Sequence, residues 1–384
     1  MKRLVLLILV LICLCDCNNK QAYCTENVDY VEYSRAIELP LDADTAPYTT
    51  MIQYVDLDGC SYLSILNQID NTIRLFDLAE KREVGKIDFS AMVDDRAIEG
   101  YTFNGEHLYL YCYKSNQLVK VDWKNKKKVY TLNIPARSND MLPHPVTGTP
   151  YPILVDGSTV LMTGFIVLED GNNPPERKTL LRYDENTKEY SYAINYPSIY
   201  DSGNWGGGYY FRMPFSTFGN QGQVALSFGA SDSLVLYNVR TETVQMVRAK
   251  YDNNTKIRPY RKGKTRSPSS QVEKKWYMSV PSYEEIIYDK YKDCYYRIFR
   301  MPDNDYQGGR LNNKPVGIIT LDSQFNKISE HILSNKELLI TTNFFVSESG
   351  LWFQVASGSD NEMKFVLFDS NQLQTQMREL THQE

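Results

Sequence analysis

Hydrophobic and polar positions alternate along most of this chain with a two-residue period, broken at short polar turns. The clearest stretch runs from Tyr62 to Phe89, YLSILNQIDNTIRLFDLAEKREVGKIDF. It returns without a gap 45 residues later as His107 to Ile134, HLYLYCYKSNQLVKVDWKNKKKVYTLNI. Asn71 matches Asn116, Ile73 matches Leu118, Asp77 matches Asp122, Lys81 matches Lys126, Val84 matches Val129 and Ile87 matches Leu132. Each copy predicts an alternating strand, a polar turn at Asn, a second strand ending in hydrophobic-Asp, a charged turn and a third strand. Such a unit cannot bury its own apolar faces alone, so a repeat of this kind predicts a propeller or a solenoid.

The pattern continues with drift. Leu180–Asp184 is followed by Tyr190, Leu234–Asn238 by Val244 and Ile318–Asp322 by Ile328, and Phe365–Asp369 is the last occurrence. In these later copies the charged turn reads one residue shorter than in the first two. The Asp or Asn has a mechanical reason, since its short side chain accepts from the backbone two residues on and opens a turn. Six occurrences at about 60 residues each suit four-stranded blades with some long loops. The expected fold is therefore all-β, a six-bladed β-propeller, with seven blades as the alternative. The run Glu284 to Arg300 is read as an inner hairpin of the fifth blade. The last unit lacks an outer strand, and Val28 to Leu39 is expected to supply it, closing the ring and removing a free edge.

The N-terminus is of a different kind. Met1 to Asp16 has a basic start at Lys2-Arg3 and an apolar run from Leu4 to Cys15, the form of a secretory signal and too short for a spanning helix. Cys17 follows, with Asn18, Asn19 and Lys20 behind it. This resembles a bacterial lipoprotein signal, in which the Cys is lipidated and becomes the mature N-terminus. Asp16 departs from the small residue usual before that Cys, and a soluble secreted chain cleaved nearby is the alternative. The expected division is 1–16 signal, 17–27 lipidated Cys17 and tether, and 28–384 a single propeller domain. A lipid at Cys17 would hold the domain to a membrane without spanning it, in the cell envelope as an outer-membrane or cell-surface lipoprotein, with a periplasm-facing one as the alternative.

Composition narrows the function classes. The 29 Tyr suit half-buried strands, with the ring against the sheet and the hydroxyl at water. The formal charge of −5 argues against nucleic acid, which needs a basic face. Of the four His, none has a partner at zinc-ligand spacing, and only His144, between Pro143 and Pro145, merits testing as a catalytic group. Nucleophile elbows, phosphate loops and dinucleotide fingerprints are absent, and Asp303–Asp305 lacks the spacing of a calcium loop. No metal and no cofactor are expected, and the chain reads as a monomer. The disulfide state of Cys24, Cys60, Cys112 and Cys294 is left open by the spacing, with Cys112 read as a small core residue.

Two long loops carry the candidate recognition residues. Ile199 to Phe218 gathers Tyr200, Trp205, Tyr209, Tyr210 and Arg212 around three consecutive Gly, and such a loop can form a stacking platform for a sugar or a seat for a peptide. The same residues could instead begin the fourth blade's inner strand and cap its core. Tyr251 to Lys275 is locally basic through Lys256, Arg258, Arg261, Lys262, Lys264 and Arg266, a surface for an acidic partner or polysaccharide, or simply a solvated loop.

Across nearly its whole length the chain resembles a bacterial lipoprotein family, the domain-of-unknown-function family 4221. The resemblance rests on the start through Cys17, YLSILNQIDNTIRLFDL, YLYCYKSNQLVKVDW, IIYDKYKDCYYRIFR with VGIITLDSQF, and VSESGLWFQ. It implies a six-bladed propeller and brings no catalytic residues. The expected function is a membrane-anchored binding or scaffold module for a glycan or protein partner. The alternative is a lyase or hydrolase acting on sugars or peptides in the central funnel, which would converge two acids, or an acid with His144 or a Tyr, on one cavity.

Overall fold

The structure is a computed structural model that describes residues 30–31, 33–90, 92–93, 98–135, 143–165, 177–206, 213–252, 257–262, 269–303, 306, 314–333 and 338–368. The chain divides into a short N-terminal unit, Met1–Tyr30, of which only Tyr30 is described, and a unit from Val31 to Glu384. Everything below concerns the second unit.

Six antiparallel sheets stand in a ring and make a six-bladed β-propeller. Blade 1 is built from Ile52–Leu57, Cys60–Asn67, Thr72–Asp77 and Arg82–Asp88. Blade 2 follows with Ile98–Asn104, His107–Cys112, Gln117–Asp122 and Lys127–Asn133. Blade 3 has a split inner strand, His144–Pro145 and Leu154–Asp156, then Thr159–Phe165, Lys178–Asp184 and Tyr190–Asn195. Pro214–Phe218, Gln223–Phe228, Ser233–Asn238 and Val244–Arg248 form blade 4. Blade 5 consists of Ser282–Asp289, Cys294–Arg300, Val316–Asp322 and Lys327–Leu333, so Glu284 to Arg300 is its inner hairpin as expected.

Blade 6 takes three strands from the C-terminal end, Leu339–Ser347, Gly350–Val355 and Glu362–Phe368. Its fourth is the N-terminal Ala36–Pro40, antiparallel to the last, with Ile37 opposite Phe365 and Leu39 opposite Met363. The closing strand therefore falls at the C-terminal end of the expected Val28–Leu39 segment. It ends at Pro40, a residue that sheets tolerate on outer strands because it has no N–H to donate.

The repeated acid does what its chemistry requires. Asp77 Oδ1 accepts the Ala79 and Glu80 amides at 2.8 and 2.9 Å, and Asp184 Oδ1 and Asn238 Oδ1 do the same for the residues two and three beyond them. Four residues after the acid the chain turns left-handed, at Lys81, Lys126, Lys188 and Glu242. The turn is thus the same length in blades 1 to 4, which corrects the shorter turn expected from blade 3 onward. The extra residue in blades 1 and 2 is a β-bulge on the outer strand, at Val84 and Val129, and blades 3 and 4 have none there. In blade 5 the turn is one residue shorter, with Phe325 left-handed, and Ile328 bulges.

Apolar cores fill the seams between neighbouring blades at five places among the described residues. Leu108, Leu110 and Val119 of blade 2 pack with Leu66 and Ile73 of blade 1. Leu180 of blade 3 meets Val224, Leu226 and Phe228 of blade 4, and Ile298 and Ile318 of blade 5 meet Leu351 and Phe353 of blade 6. Trp352 and Phe365 of blade 6 pack on Leu63 and Phe76 of blade 1, which closes the ring with apolar contact as well as hydrogen bonds.

The axis is not open along the described residues. The segment between the two halves of blade 3's inner strand reaches blade 1, two places away in the ring: the Thr149 amide donates to Thr50 O at 3.0 Å and the Thr149 hydroxyl accepts the Ile52 amide at 2.8 Å. The same segment touches blade 4 through the Ser216 amide on Pro150 O at 3.1 Å and stacks Tyr151 on Phe215 at 5.1 Å. Gly100 in blade 2 permits the crossing, since a Cβ there would lie 2.6 Å from the Thr147 side chain.

Candidate functional site

Tyr200 and Trp205, expected on a ligand platform, are core side chains, 2% and 3% exposed. Tyr200 sits in a short 3-10 turn, Ser198–Asp201, with its hydroxyl accepting the Ala230 amide at 3.3 Å. The Trp205 indole donates to Ile199 O at 3.1 Å, and the two rings meet each other at 5.7 Å in the seam of blades 3 and 4. Tyr209, Tyr210 and Arg212 lie outside the described residues, as do Lys256, Lys264, Arg266 and Cys17. Arg258 and Arg261 are exposed, Arg261 over the Tyr260 ring at 5.1 Å. Arg261–Lys262 pair with Gly203–Asn204, so the two long loops meet in a small two-stranded ribbon. His144 stacks on Phe165 at 5.9 Å at the edge of blade 3.

A concavity with room for a ligand lies off the axis, between blades 4 and 5. It has a volume of about 490 Å³, within the range of small-molecule sites. Ser231, Asp232 and Ser233 form one wall, from the turn between the second and third strands of blade 4. Pro281, Ser282, Tyr283 and Phe299 form the opposite wall, from the inner hairpin of blade 5. Lys250 and Tyr251, just past the last strand of blade 4, close the third side. Tyr251 stacks on Phe299 at 4.3 Å, and its amide donates to the Tyr283 hydroxyl at 3.1 Å.

Arg297 lies beneath this cleft and is fully buried. Its guanidinium donates to Ser227 Oγ at 3.1 Å, Ala249 O at 2.7 Å and Ser231 O at 2.8 Å, and rests on the Tyr283 ring at 3.9 Å. One side chain thus ties together the strand, the turn and the strand end that shape blade 4's side of the cleft. Burial pushes it down to about 10, with Tyr283 and Asp232 opposing the shift.

Behind the blade 5 wall sits a buried acid–base cluster. A bulge between Tyr283 and Ile286 sets two consecutive acids, Glu284 and Glu285, opposite a single residue of the partner strand. Glu284 binds Arg300 at 2.7 Å and accepts the Tyr277 hydroxyl at 2.5 Å. Burial opposes ionisation of Glu284, but the Arg300 cation and these two hydrogen bonds outweigh it and hold the carboxyl below its ordinary range. Glu285 goes the other way, with burial and the Glu284 charge pushing it up to about 8. Its Oε1 accepts from Thr341 at 3.3 Å, and its Oε2 has no partner among the described residues. Lys314 donates to Tyr277 O, Val280 O and Ser282 Oγ at 3.1, 2.7 and 3.3 Å. It therefore caps the C-terminal end of the helix Ser270–Ser279. Burial brings the Lys314 ammonium down to about 7.

A sequence model of the family described as "Domain of unknown function (DUF4221)" matches residues 30–332. The chain belongs to the DUF4221 family. A solved DUF4221 structure from Bacteroides vulgatus ATCC 8482 is similar over 89% of this chain and 98% of its own, with a TM-score of 0.74 at 17% identity. A Bacteroides fragilis NCTC 9343 structure, described as an exported protein, covers 90% of this chain and 100% of its own, with a TM-score of 0.54 at 10% identity. At these identities both likenesses concern the fold. No curated protein matches the chain.

In this DUF4221 propeller the cleft and the acid–base cluster were both missed by sequence reasoning. The signal for the cluster was present, because Glu284-Glu285, Arg297 and Arg300 are charges on the buried strands of the inner hairpin. Charges at such positions are retained only when paired or hydrogen-bonded. The cleft left no local signal, since Asp232, Lys250 and Tyr283 meet only once blades 4 and 5 are side by side.

Proposed function

We propose that this propeller is a binding module of the cell envelope that holds its ligand, a glycan or a short segment of a protein partner, in the cleft between blades 4 and 5. The observation that carries the reading is the cleft itself. It combines an aromatic wall of Tyr251, Phe299 and Tyr283 with polar groups on the facing turn, a combination that orients a ligand without reacting with it. The tether in this reading is a lipid on Cys17, supported by the apolar run that precedes it. The exposed cations Arg258 and Arg261 supply a second, weaker contact surface.

The enzyme reading draws on Glu284 and Glu285, two acids whose environments push them apart as acid–base pairs require. The pair lies behind the cleft wall, Glu285 is fully buried, and the axis is crossed by the blade 3 segment. These observations favour binding.

A glycan-array screen on the chain from Asn27, with Tyr251→Ala beside it, tests the proposal. Binding that the variant loses supports the cleft as the seat. Binding that the variant keeps places the ligand elsewhere, and turnover of any bound glycan would move the weight to the enzyme. Acylation that survives Cys17→Ala would remove the tether from the reading.

A further inference from the structure

The cleft has an electrostatic bias that its shape alone does not reveal. Arg297 sits beneath the floor with its charge answered by two carbonyls, a serine hydroxyl and the face of Tyr283; among the described residues it forms no ion pair. Lys250 adds a cation on the lining, and it too forms no ion pair among the described residues. The one acid of the lining, Asp232, takes the Ser233 hydroxyl at 3.1 Å and faces Arg248 at 3.8 Å, so its charge is shared with the rim. Asp252, next to Tyr251, is bound to Lys327. A low-dielectric floor makes the Arg297 charge felt in the cleft more strongly than water would allow.

The walls add shape. The Tyr251 ring, seated on Phe299, lines the cavity, and Ser198, also on the lining, is exposed. Flat aromatic surface beside hydroxyl partners accommodates the apolar face and the hydroxyls of a sugar ring.

We infer that the ligand of this cleft is an acidic saccharide, with its anionic group at Lys250, above the buried Arg297, and a ring face against Tyr251. The inference rests on the reading of the cleft as the binding seat. Lys250 makes the direct charge contact. Arg297 acts through Tyr283 and through the two carbonyls it holds, as a positioning residue and as a fixed source of positive potential.

Isothermal titration calorimetry on the full chain tests it with two probes, a disaccharide ending in glucuronate and the same disaccharide ending in glucose. The glucuronate probe is expected to bind about tenfold tighter, the size of a close but partly solvated charge contact. Lys250→Met should remove most of that difference. Raising salt from about 0.05 to about 0.5 M should weaken the glucuronate probe selectively. Equal affinity for both probes, lost in Tyr251→Ala, would overturn the anionic assignment and leave the cleft as the seat. Binding that neither Lys250→Met nor Tyr251→Ala alters would overturn the seat itself. No heat from either probe at millimolar concentration would overturn the saccharide assignment.

Discussion

Glu284 and Glu285 are neighbours on one strand, yet the first binds Arg300 at 2.7 Å while the second keeps an oxygen without a partner among the described residues. Burial and the Glu284 charge raise Glu285 from an ordinary 4.5 to about 8. A carboxyl raised on folding adds its full stability where both states hold the proton, below about 4.5. That stability is lost as pH climbs through about 8, because only the unfolded chain ionises freely. Glu285→Gln keeps the shape and removes the titration. Its melting temperature should match wild type near pH 4 and exceed it increasingly toward pH 8. The corresponding difference in folding free energy should reach a few kcal/mol, since each tenfold change in proton affinity is worth about 1.4 kcal/mol. Thermal melts of both proteins across that range check it, and an offset that is the same at every pH would sink the assignment.

The closing strand supplies a second prediction. Leu39 is fully buried against Met363 and Phe365, and Ala36–Pro40 covers the edge of Glu362–Phe368. Leu39→Ala should cost roughly 2–5 kcal/mol, the usual loss for a fully buried Leu. Deleting residues through Pro40 should do more than lower the melting point, since it bares an apolar strand edge, and oligomers should appear on size exclusion. Trimming only through Asn27 should leave both measurements unchanged.

How far the fold was legible depended on whether a feature was local. The hydrophobic-Asp ending marks a strand end and a turn within a few residues, so Asp77, Asp122, Asp184, Asn238 and Asp322 counted the blades from the sequence. Asp369, the sixth occurrence, lies outside the described residues. The bulges at Val84 and Val129 looked like longer turns, because register is a property of two strands and the sequence displays one at a time. Those same valines are 39% and 48% exposed on outer strands, so a repeated apolar residue there marked position in the blade without marking core.

The candidate site was less legible for the same reason. Tyr200 and Trp205 stand in a Gly-rich loop, which suggests exposure, but the neighbouring blade brings Phe228 to within 6.1 Å of Tyr200 and covers both. The crossing of the axis by Thr149 and Pro150 depends on contacts with blades 1 and 4, far apart in the chain. Composition alone carries no trace of it.

The repeated turn can be tested at Asp77, whose Oδ1 takes two backbone amides. Asp77→Ala should destabilise by about 1 kcal/mol for each hydrogen bond left to water or unmade. Asp77→Asn should be close to neutral, because blade 4 already uses Asn238 in the same place with the same two bonds. Chemical denaturation of the two variants separates the outcomes. Equal losses for both would mean that the negative charge, and not the turn, is what the position requires.

The last prediction joins packing to the cleft. Gly317 pairs with Phe299 across blade 5, and a Cβ at Gly317 would lie 2.1 Å from Phe299 Cζ. Phe299 is buried at 2% exposure and carries the stacked Tyr251 ring, so it has nowhere to go except toward the cleft. Gly317→Ala should therefore cost about 1–3 kcal/mol, the usual penalty of overpacking. It should also lose binding at the cleft as the Tyr251 ring is pushed out of place. Phe299→Leu shortens the obstructing side chain, and the pair Gly317→Ala/Phe299→Leu should recover stability beyond the sum of the single changes. Thermal melts of the four proteins give that coupling directly. Additive losses would mean that the strain at Gly317 is relieved elsewhere and that Phe299 does not carry it to the cleft.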